Sequence, residues 1–178
     1  GLEESGLSYT LRECELYPKP QWLLKLNPKG KVPVLVDDET SKATVESEVI
    51  LDTIAERARP ALDGAGGQAE AERATAFRRL VNEELLPAGQ DAKFSGRGGQ
   101  AALHRVLGRM DELIVGPLVT GGAIAVADIS AAPMMQRLFE DGMVPKDFGR
   151  LHAWYEAIQQ RPAFQKTKLE HGAYWWWW

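Results

Sequence analysis

The chain has 178 residues, enough for one compact unit or two small domains, with 44% hydrophobic and 26% charged residues as in ordinary globular proteins. Its formal net charge of −4, with basic residues dispersed among acidic ones, argues against the clustered basic face of a nucleic-acid binder. A lone cysteine, Cys14, leaves no intrachain disulfide and fits a reducing compartment, and no apolar run is long enough to span a membrane.

In chain order, Gly1 to Gly6 reads as the last turn of a helix, with Gly6 as its stop. Ser8 to Leu16 alternates loosely and suits a strand that Pro18 and Pro20 break. Gln21 to Leu26 reads as a short helix packing Trp22, Leu23 and Leu26, ended by Asn27-Pro28-Lys29-Gly30. Val32 to Val36 is a β-rich run, Asp37 to Thr40 a turn, and Ala43 to Glu46 a second short strand that can pair back with Val34 to Val36. Ser47 to Arg57 is helical, with Val49, Ile50, Thr53 and Ile54 on one face.

Arg59 to Gln68, rich in Pro, Gly and Ala, is the linker candidate, and the chain beyond it is almost all helix. Ala69 to Leu86 carries Phe77, Leu80, Val81 and Leu85 at helical spacing; Gln100 to Ile114 carries Leu103, Val106, Leu107, Met110, Leu113 and Ile114 close to a heptad seam. Val126 to Phe139, Phe148 to Gln160 and a short segment after Arg161-Pro162 complete the helices. The Gly-rich stretches Gly64 to Gly67 and Gly96 to Gly99 match neither a dinucleotide fingerprint nor a phosphate loop and read as loops. His104, His152 and His171 are far apart with no metal-ligand spacing, and no G-x-S-x-G motif is present.

The stretch richest in chemistry is Asn27-Pro28-Lys29-Gly30-Lys31-Val32-Pro33-Val34-Leu35, with Glu46-Ser47 opening the next helix. A valine-proline bond at the start of a strand is cis at low cost, because proline cuts the trans preference to under about 1 kcal/mol. A cis bond there turns the N–H and carbonyl of Val32 outward, where an extended peptide can add as a strand. A serine at a helix N-cap sets its hydroxyl beside unpaired backbone N–H groups, an anion site. Together these features suit a peptide-like anion.

The order of these motifs resembles that of soluble glutathione transferases, over residues 1 to 168. Lys19-Pro20-Gln21-Trp22 and Asn27 to Val34 are similar to the cysteine-type classes, omega and dehydroascorbate reductase. Ala127-Asp128-Ile129-Ser130-Ala131-Ala132-Pro133 resembles the family's buried capping segment, and Leu151, Trp154 and Arg161-Pro162-Ala163-Phe164 its closing helices. The implied fold is an incomplete α+β thioredoxin-like domain (1–58), a linker (59–68), an all-α glutathione-transferase domain (69–170) and a Trp-rich tail (171–178) that is unstructured or artefactual.

The resemblance implies glutathione as co-substrate. Val32, ahead of the structural Pro33, would pair with its cysteinyl backbone; Ser47 would take the γ-glutamyl carboxylate, Glu46 the ammonium, and Lys19 and Lys31 the glycyl carboxylate. Asp128 is structural: the reciprocal hydroxyl of a capping box is lacking at Ala125, at a cost of about 1 kcal/mol, while Ile124 and Ile129 keep the spacing of a hydrophobic staple. No metal is implied.

On the family pattern the catalytic Cys, Ser or Tyr is expected upstream of Gly1, with roughly 20 to 30 residues ahead of the present start, and without the first strand the sheet would have an open edge prone to self-association. Cys14 reads as an inert residue of the second strand. The expected activity is a glutathione-dependent transferase or thiol oxidoreductase acting on an electrophile, dehydroascorbate or a disulfide; the alternative is a non-catalytic binding or interaction module, or a truncated product. The expected state is monomer or homodimer, without nucleic-acid or membrane partners, in the cytoplasm or, behind a transit segment, the plastid.

Overall fold

The computed structural model describes residues 1–59, 62, 64, 66–94 and 97–168. Residues 60, 61, 63 and 65 of the expected linker, Gly96 of the second expected loop, and the Trp-rich tail with His171 lie outside the described residues. The chain divides into two compact units, Gly1–Arg59 and Pro60–Trp178.

The first unit is α+β. Helix α1 (Leu2–Ser5) ends at Gly6, whose φ of +70° is the left-handed stop expected there. Helix α2 (Gln21–Leu26), strands β1 (Val34–Val36) and β2 (Ala43–Val45) and helix α3 (Ser47–Arg57) follow. The strands form an antiparallel hairpin in the register Val34–Val45, Leu35–Thr44, Val36–Ala43. Its turn is organised by Asp37, whose Oδ1 accepts the N–H groups of Glu39 and Thr40 at 2.9 Å each, an arrangement that competes well with any continuation of the strand. Asp37 also pairs with Arg57, tying the end of α3 to the turn.

The expected strand over Ser8 to Leu16 is not formed: the segment runs without a strand partner among the described residues, and Cys14 is half-buried in irregular chain. Alternation alone does not make a strand; the ladder needs a neighbour, and Leu11 is 72% exposed, so the pattern does not face a core either. On α3 the buried stripe is narrower than its periodicity suggests. Ile50, Ile54 and Ala58 are buried, whereas Val49 is half out in solvent and Thr53 turns its hydroxyl onto the Val49 carbonyl. With Leu23 of α2 these three residues make up the unit's small apolar core.

The second unit is all-helical: α4 (Gln68–Arg79), a π-helical stretch Leu80–Leu85, α5 (Leu86–Phe94), α6 (Arg97–Leu113), α7 (Val126–Glu140), α8 (Gly149–Gln159) and α9 (Pro162–Thr167). The single helix expected over Ala69 to Leu86 therefore continues to Phe94 and widens in the middle. Pro87 supplies the reason: it has no N–H for the carbonyl four residues back, and its ring crowds that carbonyl, so the turn ahead of it opens.

Helix α6 likewise begins three residues earlier than expected, taking in part of the Gly96 to Gly99 loop. Gly99 packs onto the backbone of Asp91, where a Cβ would come within 2.2 Å; a bare helix surface lets α5 and α6 close there. Phe77, Leu85, Leu107, Met110, Met135, Leu138, Leu151 and Trp154 fill the core between these helices, all fully buried. No helix among the described residues is long and apolar enough to cross a membrane.

Candidate functional site

The hairpin sets the geometry of the first unit's polar end. Because Val34 pairs with Val45, the residues just before β1 (Lys31, Val32, Pro33) and just after β2 (Glu46, Ser47) emerge at the same end of the ladder. The Val32–Pro33 peptide is cis. A loop, Asn27 to Lys31, brings the chain to it from α2, and this loop is held from within.

Asn27, only 5% exposed, donates through Nδ2 to the Lys31 carbonyl at 2.8 Å and accepts from the Lys29 N–H at 3.2 Å. The N–H of Gly30 closes on the Asn27 carbonyl at 2.7 Å. Gly30 is buried at φ +60°, and Lys19 lies across it so closely that a Cβ would stand 2.5 Å from Lys19 Cδ. Glycine is required twice over, for the backbone and for the lysine that crosses it.

Three lysines come to this loop. Lys19 donates to the Lys29 carbonyl at 3.4 Å, Lys29 reaches Glu46 with Nζ 3.4 Å from Oε1, and Lys31 is exposed. Lys29 was not singled out by the sequence pattern, and neither was the anchoring part played by Asn27. The signal for Lys29 lies in the hairpin register, which folds a separation of 17 residues back to contact.

Helix α3 starts differently from the N-cap expected at Ser47. Glu46 occupies the cap position, at φ +68° and ψ 120°, and Ser47 is the first helical residue. The shift has a physical basis: a cap residue leaves the helix with non-helical torsions, and here Glu46 makes that departure while its carbonyl already accepts the Ile50 N–H at 3.0 Å. A left-handed φ is costly for a non-glycine residue and concentrates at binding sites. No side chain caps the helix, and the Ser47 hydroxyl is exposed with no intramolecular partner among the described residues. The eleven-residue helix thus starts without a side-chain cap, with Ser47 exposed and the acidic Glu48 in its first turn as the complement to the dipole there.

Asp128, in the second unit, sits in a different setting. It is fully buried at the third position of α7, where Oδ2 accepts the Ala125 N–H at 2.9 Å and Oδ1 accepts the Val119 N–H at 2.9 Å and the Trp154 indole N–H at 2.8 Å. Burial pushes its carboxyl above the ordinary value of 3.8, and these three N–H groups with Arg161 pull it back only in part. Ala125 has no side-chain acceptor to return the bond; the Asp128 N–H instead reaches the Ala125 carbonyl at 3.0 Å. Among the described residues no group of three metal-ligating side chains comes together.

The family model for the glutathione S-transferase N-terminal domain matches residues 1–62. The chain is 30% identical over 176 residues to a probable cytosolic glutathione S-transferase of rice (Oryza sativa subsp. japonica), DHAR1, covering 94% of this chain and 79% of the relative. Among solved structures it is similar to the omega 3C glutathione transferase of Trametes versicolor, with a TM-score of 0.79, 24% identity, and coverage of 95% of this chain and 81% of that one. A sphingomonad glutathione S-transferase complexed with glutathione superposes with a TM-score of 0.71 at 25% identity, over 93% of this chain and 88% of that one.

Proposed function

The chain belongs to the glutathione S-transferase family, and from that premise we propose that its first unit binds glutathione across the Val32–Pro33 turn and the start of α3. The observation that carries this reading is the convergence at one end of the hairpin of the Val32 backbone, the Glu46 carboxylate, the free Ser47 hydroxyl and a loop that Lys19 crosses.

Glutathione is an extended tripeptide with a carboxylate at each end and an ammonium beside one of them. Its γ-glutamyl carboxylate fits the uncapped start of α3, where backbone N–H groups and the Ser47 hydroxyl donate. Its ammonium then falls to Glu46. The cysteinyl backbone pairs with Val32 as an added strand, and Lys19 and Lys31 provide counter-charge for the glycyl carboxylate. The protein's electrostatic task is to hold the tripeptide and favour its thiolate, which is the nucleophile both in conjugation and in thiol–disulfide exchange.

The rice relative is named for dehydroascorbate reductase and as cytosolic; we extend both to this chain as the finer reading, with reduction of dehydroascorbate or a disulfide preferred over conjugation to an electrophile. Calorimetric titration with glutathione tests the site. Binding should fall at least about tenfold in Ser47→Ala, the loss of one hydrogen bond to a charged group; unchanged affinity would overturn the placement at α3. Glutathione-dependent reduction of dehydroascorbate, measured beside conjugation of a general electrophile, then separates the two chemistries, and binding without either would identify a binding module.

A further inference from the structure

Lys29 has bonds toward both ends of the candidate site. Its carbonyl accepts from the Lys19 ammonium, and its own ammonium lies 3.4 Å from Glu46 Oε1. Glu46 is also the carboxylate to which the ligand's ammonium is assigned. One anion therefore faces two cations, one supplied by the chain and one by the ligand.

We propose that Lys29 is a specificity-determining residue that competes with the α-ammonium of glutathione for Glu46, so that ligand entry exchanges one ammonium for another. The inference rests on the reading that places the γ-glutamyl end at the start of α3. Three features make the exchange physically accessible. The side chains of Lys29 and Glu46 are 71% and 58% exposed, so their attraction is weak and screened by salt. The 3.4 Å separation is longer than a well-formed charge-assisted hydrogen bond, so the pair is not locked.

The two partners also differ in freedom. The Glu46 backbone is held at the helix start, its carbonyl bonded to the Ile50 N–H, and its side chain is shorter than that of Lys29. Lys29 carries its charge on a flexible four-carbon stem and can swing away. When the ligand's ammonium arrives, like charges repel within a few ångströms and Lys29 is the group that yields.

The consequence is a selectivity that the lysine sets. A ligand with an ammonium must displace Lys29 from Glu46. A ligand without one, such as the des-amino analogue glutaryl-cysteinyl-glycine, leaves the ion pair intact. Lys29 thus narrows the preference for glutathione over its des-amino analogue, while its charge adds a general attraction to both anionic ligands.

The test measures the dissociation constants of glutathione and glutaryl-cysteinyl-glycine for the wild type, Lys29→Gln, Glu46→Gln and the double variant, by calorimetry at low and high salt, with Ser47→Ala as the check on the site. Lys29→Gln is expected to raise the preference for glutathione about two- to fivefold, the scale of an exposed ion pair. The change should shrink at high salt and vanish when Glu46 is already Gln, as a coupled pair requires. An unchanged preference in Lys29→Gln, with Ser47→Ala still weakening both ligands, would overturn the competition and leave the site standing. Indifference of both ligands to Ser47→Ala, or no binding by the wild type, would overturn the site and the competition with it.

Discussion

Two helices of this chain begin in opposite ways. Helix α7 is closed by its own sequence: the Asp128 carboxylate takes N–H groups from Ala125, Val119 and Trp154, and the Val126 N–H is taken by the Leu62 carbonyl at 3.2 Å. Helix α3 is left open, with a left-handed residue where a capping side chain would stand and an exposed hydroxyl in its first turn. Both starts carry the same partial positive charge and the same set of orphan donors. What differs is who supplies the anion. At α7 the chain spends a buried carboxylate to stabilise itself; at α3, on the proposed reading, it leaves the position to the γ-glutamyl carboxylate of glutathione.

The sharpest way to break this comparison is to remove the closure. Asp128→Ala strands three donors in a dry core, and each unsatisfied group costs about 1–3 kcal/mol, so a loss of about 3–5 kcal/mol in urea unfolding is expected. That is a large share of the stability of an ordinary domain. A loss below about 1 kcal/mol would mean that α7 does not depend on its internal carboxylate.

The raised carboxyl adds a pH signature. Between the ordinary value of 3.8 and the raised one, the folded chain holds a proton that the unfolded chain has released. Stability from this group therefore falls as pH rises through that window and is flat above it. Asp128→Asn, which keeps one acceptor oxygen, should lose less than Asp128→Ala and should lack that slope.

Within the first unit, Asn27 is the nearest counterpart of Asp128, a buried polar side chain that organises backbone. It serves the loop that leads to Lys31 and Val32, where Asp128 serves a core. Asn27→Ala should cost about 2 kcal/mol from its two lost bonds, and it should weaken glutathione binding together with stability. Chemical denaturation and calorimetry on the same variant separate this outcome from a purely structural one, in which affinity would be kept. Gly30→Ala is a smaller step on the same loop. The left-handed backbone costs an L-residue about 1–2 kcal/mol, and the added Cβ must push Lys19 from its crossing. A thermal midpoint equal to that of the wild type would show that the loop relaxes freely.

How far the sequence foretold these features depends on whether the cause was local. The limits of α2 and α3 match expectation because Pro20, Asn27-Pro28 and the residues around Glu46 act on their own neighbourhood. The hairpin was legible for the same reason, since Asp37 builds its turn within three residues. The strand expected at Ser8 to Leu16 does not form because pairing depends on a partner, which alternation does not encode. The widened turn before Pro87 leaves no mark on the periodicity, which records which residues are apolar and is blind to a carbonyl that a proline ring displaces. Among the expected site residues, the hairpin brings Val32, Glu46 and Ser47 to one end, and Lys19 reaches the adjoining loop. The Lys29–Glu46 pair and the anchoring bonds of Asn27 are not legible in the sequence, because each depends on the direction of a side chain.

The smallest effect on stability belongs to Ser47→Ala, and it is the one that tests the comparison most directly. At a self-closed helix start, deleting a capping hydroxyl costs about 1 kcal/mol. Ser47 is the first helical residue, exposed and without an intramolecular partner, so its loss should change unfolding free energy by less than about 0.5 kcal/mol. Affinity for glutathione should nonetheless fall at least about tenfold. A stable, well-folded variant that no longer holds glutathione would separate the two helix starts by role. A stability loss of about 1 kcal/mol with affinity intact would instead mean that the hydroxyl serves its own helix, and the start of α3 would then be closed from within, as α7 is.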